Sequence, residues 1–380
     1  MLLLRRYYQS THHSIRFDNY VQSMVSYITE YIYFARSYEL KKGKQTTLVP
    51  TEKNPTNNIF PITVSSKWVS GVGSSIVCLF SKTSNDIVCP HFWELKAWIG
   101  CPFSCSYCYL QGTFRGAERK KPRMKDKDRI ARFLREFLCW ADSVGLKTLL
   151  NAGEVADSLA VPDYVRRFLK IALPILDRHP DHKILFLTKG GTKHIKVLEE
   201  IPSDMRDRFV ISFSINPRAV AKRYEHGAAD SLDRIEAAGM VAEMGFEVRI
   251  RIDPIIPVEG WILHYTKLVD DLLDKIEPSR ITIGSLRALK KTIKFSRDNS
   301  WLEYIRMFPE KTSWGLRIRR ELRVRMFAII IEALRSRGYN KHIALCKEPY
   351  EVWLELHRMG LLDHPGKTAI WENVMCNCKL

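Results

Sequence analysis

Gly100-Cys101-Pro102-Phe103-Ser104-Cys105-Ser106-Tyr107-Cys108-Tyr109-Leu110-Gln111 places three thiols within eight residues, spaced C-x3-C-x2-C, in a chain with nine cysteines. A loop this short can gather its sulfurs on one small inorganic centre. Cysteine thiolates are the usual protein ligands of a [4Fe–4S] cluster, and three of them leave one of its irons open to a ligand that is not protein. Tetrahedral zinc competes, but zinc sites usually show paired C-x2-C or Cys/His spacing and close all four positions. Three incidental loop cysteines are the bland alternative.

The chain around the loop is that of a globular protein. At 380 residues and 44.2 kDa it can bury one large core or two modest ones. Its 46% hydrophobic and 27% charged content excludes a disordered chain. No apolar run reaches membrane-spanning length. Met1-Leu-Leu-Leu-Arg-Arg is too short for a signal peptide, and its charges follow the apolar residues. The expectation is a cytoplasmic protein with no membrane partner, in a compartment where thiols serve metals or catalysis and not disulfides.

The net charge is +18, from 60 Lys+Arg against 42 Asp+Glu, which predicts attraction to nucleic acid. One basic run, 115–135, includes Arg119, Lys120, Lys121, Arg123, Lys125 and Lys127. A second, 287–325, includes Lys290, Lys291, Lys294, Arg306, Arg317, Arg319, Arg320 and Arg323. Phe295, Trp301, Tyr304, Phe308 and Trp314 are interleaved there, as base-stacking surfaces often require. The alternative is a solvated basic face.

Residues 1–90 read as an amino-terminal extension and linker, with mixed apolar spacing over 20–33, a proline-broken polar stretch at 41–63, and a surface His12-His13 pair. From Phe92 the pattern alternates. Strands are expected at 94–99, 147–150, 183–188, 209–214, 247–252 and 280–284. Helices are expected at 130–143, 164–176, 194–200, 232–244 and 263–276, with Gly245 as a helix cap. Six such units imply an α/β fold with a parallel sheet, here assigned to 91–286. The basic region 287–380 reads as mostly helical, with a long helix at 316–335, a short strand at 343–346 and a helix at 349–357. Cys78 and Cys139 read as structural, the latter on an apolar helix face.

In a parallel barrel, ligands gather at the carboxyl ends of the strands, so polar residues there carry the chemistry. Strand two ends in Asn151-Ala152-Gly153-Glu154 with Asp157 just beyond. Gly153 permits close backbone approach, and a carboxylate beside it can accept from an ammonium group. Strand three ends in Thr188-Lys189, strand four in Ser214-Ile215-Asn216, and strand five in Arg251-Ile252-Asp253-Pro254. The ordinary reading of any one of these is a buried cap or salt bridge.

C-x3-C-x2-C followed by an aromatic is the signature of radical S-adenosylmethionine (SAM) enzymes, and C-x3-C-x-Y-C-Y-L-Q resembles the spore photoproduct lyase branch. The resemblance covers about 90–340. It implies a partial (β/α)6 TIM-like barrel in which Cys101, Cys105 and Cys108 hold the cluster. SAM would sit on its open iron, contacted by Gly153, Glu154, Asp157, Lys189, Ser214 and Asn216. Electrons from a donor such as flavodoxin or ferredoxin would generate a 5′-deoxyadenosyl radical, and Tyr107 and Tyr109 match the family's radical-relay tyrosines. The activity implied is a lyase in DNA repair.

One departure stands out: the alignment puts Glu154 where these lyases carry a hydrogen-donor cysteine, so thymine-dimer repair does not transfer intact. A radical SAM enzyme acting on a peptide, tRNA or small molecule, and an inactive metal-containing nucleic-acid-binding protein, are the alternatives. Cys346, Cys376 and Cys378 form a further group that could hold a second Fe–S or zinc site if Cys89 or His91 supplies a fourth ligand. The alternative is a set of reduced thiols.

Overall fold

The computed structural model describes residues 76–115, 120–367 and 370–380. The extension over 20–33 and 41–63, His12-His13 and Arg119 lie outside the described residues. Eight strands form one sheet: β1 (Val77–Phe80), β2 (Phe92–Leu95), β3 (Thr148–Asn151), β4 (His182–Thr188), β5 (Phe209–Ser214), β6 (Glu247–Ile255), β7 (Arg280–Ser285) and β8 (His342–Leu345). Their order across the sheet is their order along the chain. β1 runs antiparallel to β2, and every later neighbour is parallel. Such an order, with each strand laid beside the last, curls the sheet into a half-barrel.

The expected α/β partial barrel is therefore what the chain builds. β1, from within the segment read as an extension, and β8, from within the region read as mostly helical, both join its sheet.

Crossover helices cover the convex face. α1 (Lys127–Ser143) begins where the Asp126 carboxylate accepts from Arg129 N–H at 2.9 Å, and it buries Ile130, Leu134, Phe137, Leu138 and Ala141 along one stripe. α2 (Pro162–Leu176) starts on proline, whose missing N–H costs nothing there. α3 (Ser231–Glu243) is capped by Asp230 and followed two residues later by Gly245 at φ +92°. α4 (Trp261–Lys275), α5 (Arg320–Ser336) and α6 (Tyr350–Arg358) complete the series. β5 is buried along its whole length, as expected of a parallel strand covered on both faces. Among the described residues no helix is long and apolar enough to cross a membrane.

Two readings of the basic region are corrected. The helix expected over 316–335 begins only at Arg320, because Gly315–Ile318 pairs antiparallel with both Pro309–Thr312 and Arg287–Ala288. Several charges and rings expected on the surface are inside. Arg317 and Arg323 are fully buried around the Glu348 carboxylate, and Arg323 also reaches Glu310 at 3.0 Å. Trp301 and Tyr304 are buried too, so they present no stacking face. In the other direction, Cys139 is exposed, with its sulfur 3.8 Å from His179 Nε2 and not packed in an apolar face.

Removing one member of a buried ion group leaves an unpaired charge. Glu348→Ala should therefore cost about 3–5 kcal/mol in urea unfolding, whereas Arg166→Ala, which breaks exposed pairs with Glu200 and Asp163, should leave the unfolding midpoint almost unchanged.

A second test uses pH. Asp142 on α1 meets His179 Nδ1 at 2.5 Å and His182 Nε2 at 2.8 Å. Burial pushes Asp142 up, but the hydrogen bonds to both imidazoles hold it below the usual carboxylate range; burial pushes His182 down against the pull of Asp142. Both groups bind protons less readily folded than unfolded. Their stabilisation is complete above the unfolded histidine pKa of about 6.5 and is lost as pH falls below it, first through His182 and then through Asp142. Urea unfolding between pH 7 and pH 5 should show that decline, and His182→Asn should flatten it.

Candidate functional site

The cysteine loop is pinned from several sides. Gly100 has φ +90°, and a Cβ there would lie 2.5 Å from the carbonyl oxygens of Lys120 and Lys121, so only glycine lets the chain enter this way. Cys101 N–H donates to Lys120 O at 2.8 Å, and the buried Lys120 ammonium donates to Phe103 O. Ser104–Cys105 pairs antiparallel with Glu225–His226. Gln111 then ties off the loop, its amide donating to the carbonyls of Cys105 and Ser106, both at 2.9 Å.

Cys101, Cys105 and Cys108 line one cavity of about 500 Å³, a size suited to a cofactor. The same cavity is lined by Tyr107, Tyr109, Gly153, Glu154, Asp157, Lys189, Ser214, Arg251, Asp253, Arg287, Cys346 and Lys347. Residues read at the ends of four successive strands thus meet the cysteine loop in one space. Asn216 is not among the lining residues. It is fully buried behind them, donating to Glu225 Oε1 at 2.9 Å and accepting from Tyr265 at 3.2 Å. Cys376 and Cys378 do not line the cavity either.

The lining residues differ in how free they are. Asp157 accepts from Thr188 Oγ1 and Lys189 N–H at 2.7 Å, Ala160 N–H at 3.0 Å and Leu159 N–H at 3.1 Å. Its carboxylate staples the end of β3 to the end of β4. Lys189 Nζ donates to Ser214 Oγ at 2.8 Å and Glu225 Oε1 at 2.9 Å. Glu154 pairs with Lys347 at 3.0 Å, while its backbone carbonyl accepts from the Tyr109 hydroxyl. The Tyr107 hydroxyl donates to Glu225.

Glu225 is the functional residue that sequence reasoning missed. Its carboxyl is fully buried and also pairs with Arg234 at 2.6 Å. Burial pushes it up, but the Lys189 and Arg234 charges overrule that and hold it well below the usual carboxylate range. Lys347, next to Cys346, carries no local signal in the sequence either. In the fold its ammonium lies 4.3 Å from the Phe80 ring centre and 5.7 Å from that of Trp314.

The three thiols are poor acids as they stand. Burial pushes Cys105 up to about 12, aided by the Glu225 charge, and burial raises Cys101 and Cys108 as well. Lysines oppose the rise: Lys120 at Cys101 and Cys108, Lys189 at Cys105. Buried thiols with cations beside them suit a centre that takes them as thiolates, since metal binding releases their protons. Among the described residues no three His, Cys, Asp or Glu side chains are placed to hold a single metal ion as they stand. A cluster gives each thiolate its own iron, and the triad fits that.

The spore photoproduct lyase family profile matches residues 66–287, more than half of the sequence. The chain belongs to the spore photoproduct lyase family. It is a radical SAM protein of that lyase-like type. The curated spore photoproduct lyase of Clostridium acetobutylicum is 28% identical over 189 residues, covering 48% of this chain and 52% of that protein. That of Bacillus subtilis is 30% identical over 189 residues, covering 46% and 48%. The chain spans about half the length of the curated relatives it matches.

Among solved structures, spore photoproduct lyase complexed with dinucleoside spore photoproduct aligns with a TM-score of 0.57 at 19% identity, covering 67% of this chain and 76% of that one. A variant with bound AdoMet and the same dinucleoside aligns with a TM-score of 0.54 at 19% identity, covering 67% and 75%. This likeness establishes the partial barrel that the spore photoproduct lyases share with this chain.

Gly153 offers a direct test of the site's geometry. A Cβ there would fall 2.4 Å from Leu187 Cβ and 3.3 Å from its Cα, so β4 would have to shift. Gly153→Ala should cost about 1–3 kcal/mol in thermal or urea unfolding, with Gly145→Ala as a control that meets no atom within 4 Å but carries its own positive-φ penalty.

Proposed function

We propose that this chain is a radical SAM enzyme that abstracts hydrogen from a nucleic-acid substrate. The observation that carries the reading is the meeting of Cys101, Cys105 and Cys108 with Gly153, Glu154, Lys189 and Ser214 on one cavity. The thiolates would hold a [4Fe–4S] cluster. With SAM on the open iron, that cluster supplies a 5′-deoxyadenosyl radical when reduced by a flavodoxin- or ferredoxin-like donor. Gly153 would bring backbone against SAM, Glu154 would accept from its ammonium group, and Lys189 and Ser214 would donate to its polar groups. Asp157 and Asn216 act one step back, fixing Lys189 and Tyr107 through the contacts described. Tyr109, 39% exposed at the cavity, and Tyr107, tied to Glu225, are the relay candidates.

Nucleic acid is favoured by the placement of exposed cations. Lys290, Lys291 and Lys294 are exposed on a short helix, Lys290–Phe295. A Cβ on Gly112 would lie 2.6 Å from Thr292 N, so this helix packs directly on Leu110–Thr113, the turn that follows the cysteine loop. The preceding residue, Leu289, lines the cavity. One observation favours a substrate other than a thymine dimer: Glu154, paired with Lys347, stands where the lyases are expected to carry their hydrogen-donor cysteine.

Anaerobic reconstitution should give SAM cleavage to 5′-deoxyadenosine with dithionite, read by chromatography. Cys105→Ala should abolish that cleavage, and cleavage that persists would refute the assignment. For the nucleic-acid half, log affinity for duplex DNA should fall linearly with log salt, and replacing Lys290, Lys291 and Lys294 by Ala should reduce the slope by about 2–3. A salt-independent affinity would point to the peptide, small-molecule or other substrates.

A further inference from the structure

A second set of cysteines converges from three distant segments. Cys89 follows the two-residue strand Ile87–Val88, which pairs antiparallel with Glu348–Pro349, Val88 opposite Glu348. That register carries Cys89 beside Lys347 and Cys346. Cys346 follows β8, its N–H donating to Ile283 O of β7 at 2.7 Å. Cys376 and Cys378 come from a segment laid across β5, β6 and β7. There Asn377 donates to Ser212 Oγ at 2.8 Å and Ile250 O at 3.0 Å, and accepts from Thr282 Oγ1 at 2.8 Å. Arg249 and Arg280 hold the Lys379 carbonyl, both at 2.7 Å.

The four sulfurs end up as neighbours. Cys89 lies within electrostatic reach of Cys346 and Cys378, Cys376 lies within reach of Cys89 and Cys346, and the thiols of Cys376 and Cys378 are hydrogen-bonded. All four are free thiols.

Their surroundings suit negatively charged sulfur. Arg251 Nη2 donates to Cys378 Sγ at 3.3 Å, and Asn151 Nδ2 donates to it at 3.4 Å. Arg251 Nε is buried with no hydrogen-bond partner, a costly state for a charged group. The cations here are Arg251, Arg287 and Lys347. The carboxylates are Asp253, paired with Arg287, and Glu154, paired with Lys347. Arg251 is left without a carboxylate of its own. Neutral thiols leave that charge unmatched; thiolates on a metal centre match it.

No three of these side chains are placed to hold a single ion as they stand. A polynuclear cluster puts each thiolate on a separate iron and so accepts a wider spread of sulfurs, as argued for the first triad.

We infer that Cys89, Cys346, Cys376 and Cys378 hold a second [4Fe–4S] cluster beside the cavity that Cys346 lines. Four protein ligands close all of its irons, so it offers no position for SAM. The chemistry open to it is electron transfer, with Arg251 and Asn151 donating to its sulfur ligands and tuning its potential. This assignment does not depend on the first triad carrying SAM chemistry.

The experiment is anaerobic reconstitution of the full chain with iron and sulfide. The C101A/C105A/C108A variant removes the first site, and it should still bind about four irons and four acid-labile sulfides, with an EPR signal after dithionite reduction. Adding Cys346→Ser and Cys378→Ser in that background should remove the iron, with circular dichroism reporting that the chain remains folded. In otherwise unaltered protein, the C346S/C378S pair should lower bound iron from about eight to about four. A folded C101A/C105A/C108A variant without iron overturns the inference, as does stoichiometric zinc without labile sulfide or a Cys376–Cys378 disulfide. Unaltered protein that binds four irons and cleaves SAM would overturn this inference and leave the proposed function standing. Eight irons without SAM cleavage would do the reverse.

Discussion

The buried carboxylate of Glu225 is the knot on which the site depends. It takes a hydrogen bond from Tyr107 in the cysteine loop, pairs with Lys189 beyond β4 and Arg234 on α3, and accepts from Asn216 beyond β5. Its own backbone pairs with Cys105. One buried anion against two cations leaves a net positive charge beside a thiol. Burial and the Glu225 charge oppose ionisation of the Cys105 sulfur, while the Lys189 and Arg234 charges favour it. The geometry of the loop and the electrostatics of its ligands thus share one cause.

Much of the sheet was legible because parallel strands buried on both faces leave continuous apolar runs, as Ile184-Leu185-Phe186 does. The ends of those strands were legible because polar residues such as Asn151, Thr188 and Asn216 break off the apolar runs there. Other parts gave no local signal. Glu225 is a single acid among the Lys, Arg and His of Lys222–His226, and its partners lie on elements up to 118 positions away. Arg317 and Arg323 read as surface charges because their partner, Glu348, is supplied by a segment 31 and 25 residues later. The start of α5 was misplaced because Leu316 and Ile318, two apart, belong to a strand, while the four-residue spacing of Leu322, Met326 and Ile330 belongs to the helix behind it.

A half-barrel poses a problem that a closed barrel does not: its concave face must be filled by something other than its own facing strands. Here the cysteine loop occupies one part and the segment 376–379 another. Asn377 is a fitting occupant, because its amide can donate and accept at once and every polar group it meets on β5, β6 and β7 is thereby satisfied. A purely apolar segment would have left Ser212 and Thr282 without those partners. A fully satisfied polar network of this kind fixes register as well as adding stability.

The Glu154–Lys347 pair joins the end of β3 to the end of β8, two strands that share no hydrogen bonds in the sheet. Both side chains are mostly withdrawn from solvent, and the lysine is boxed by Phe80 and Trp314. An incoming anion therefore meets a cation that is already engaged. Any anion that reaches Lys347 has to displace a carboxylate held at 3.0 Å, so access to this cation is set by charge competition.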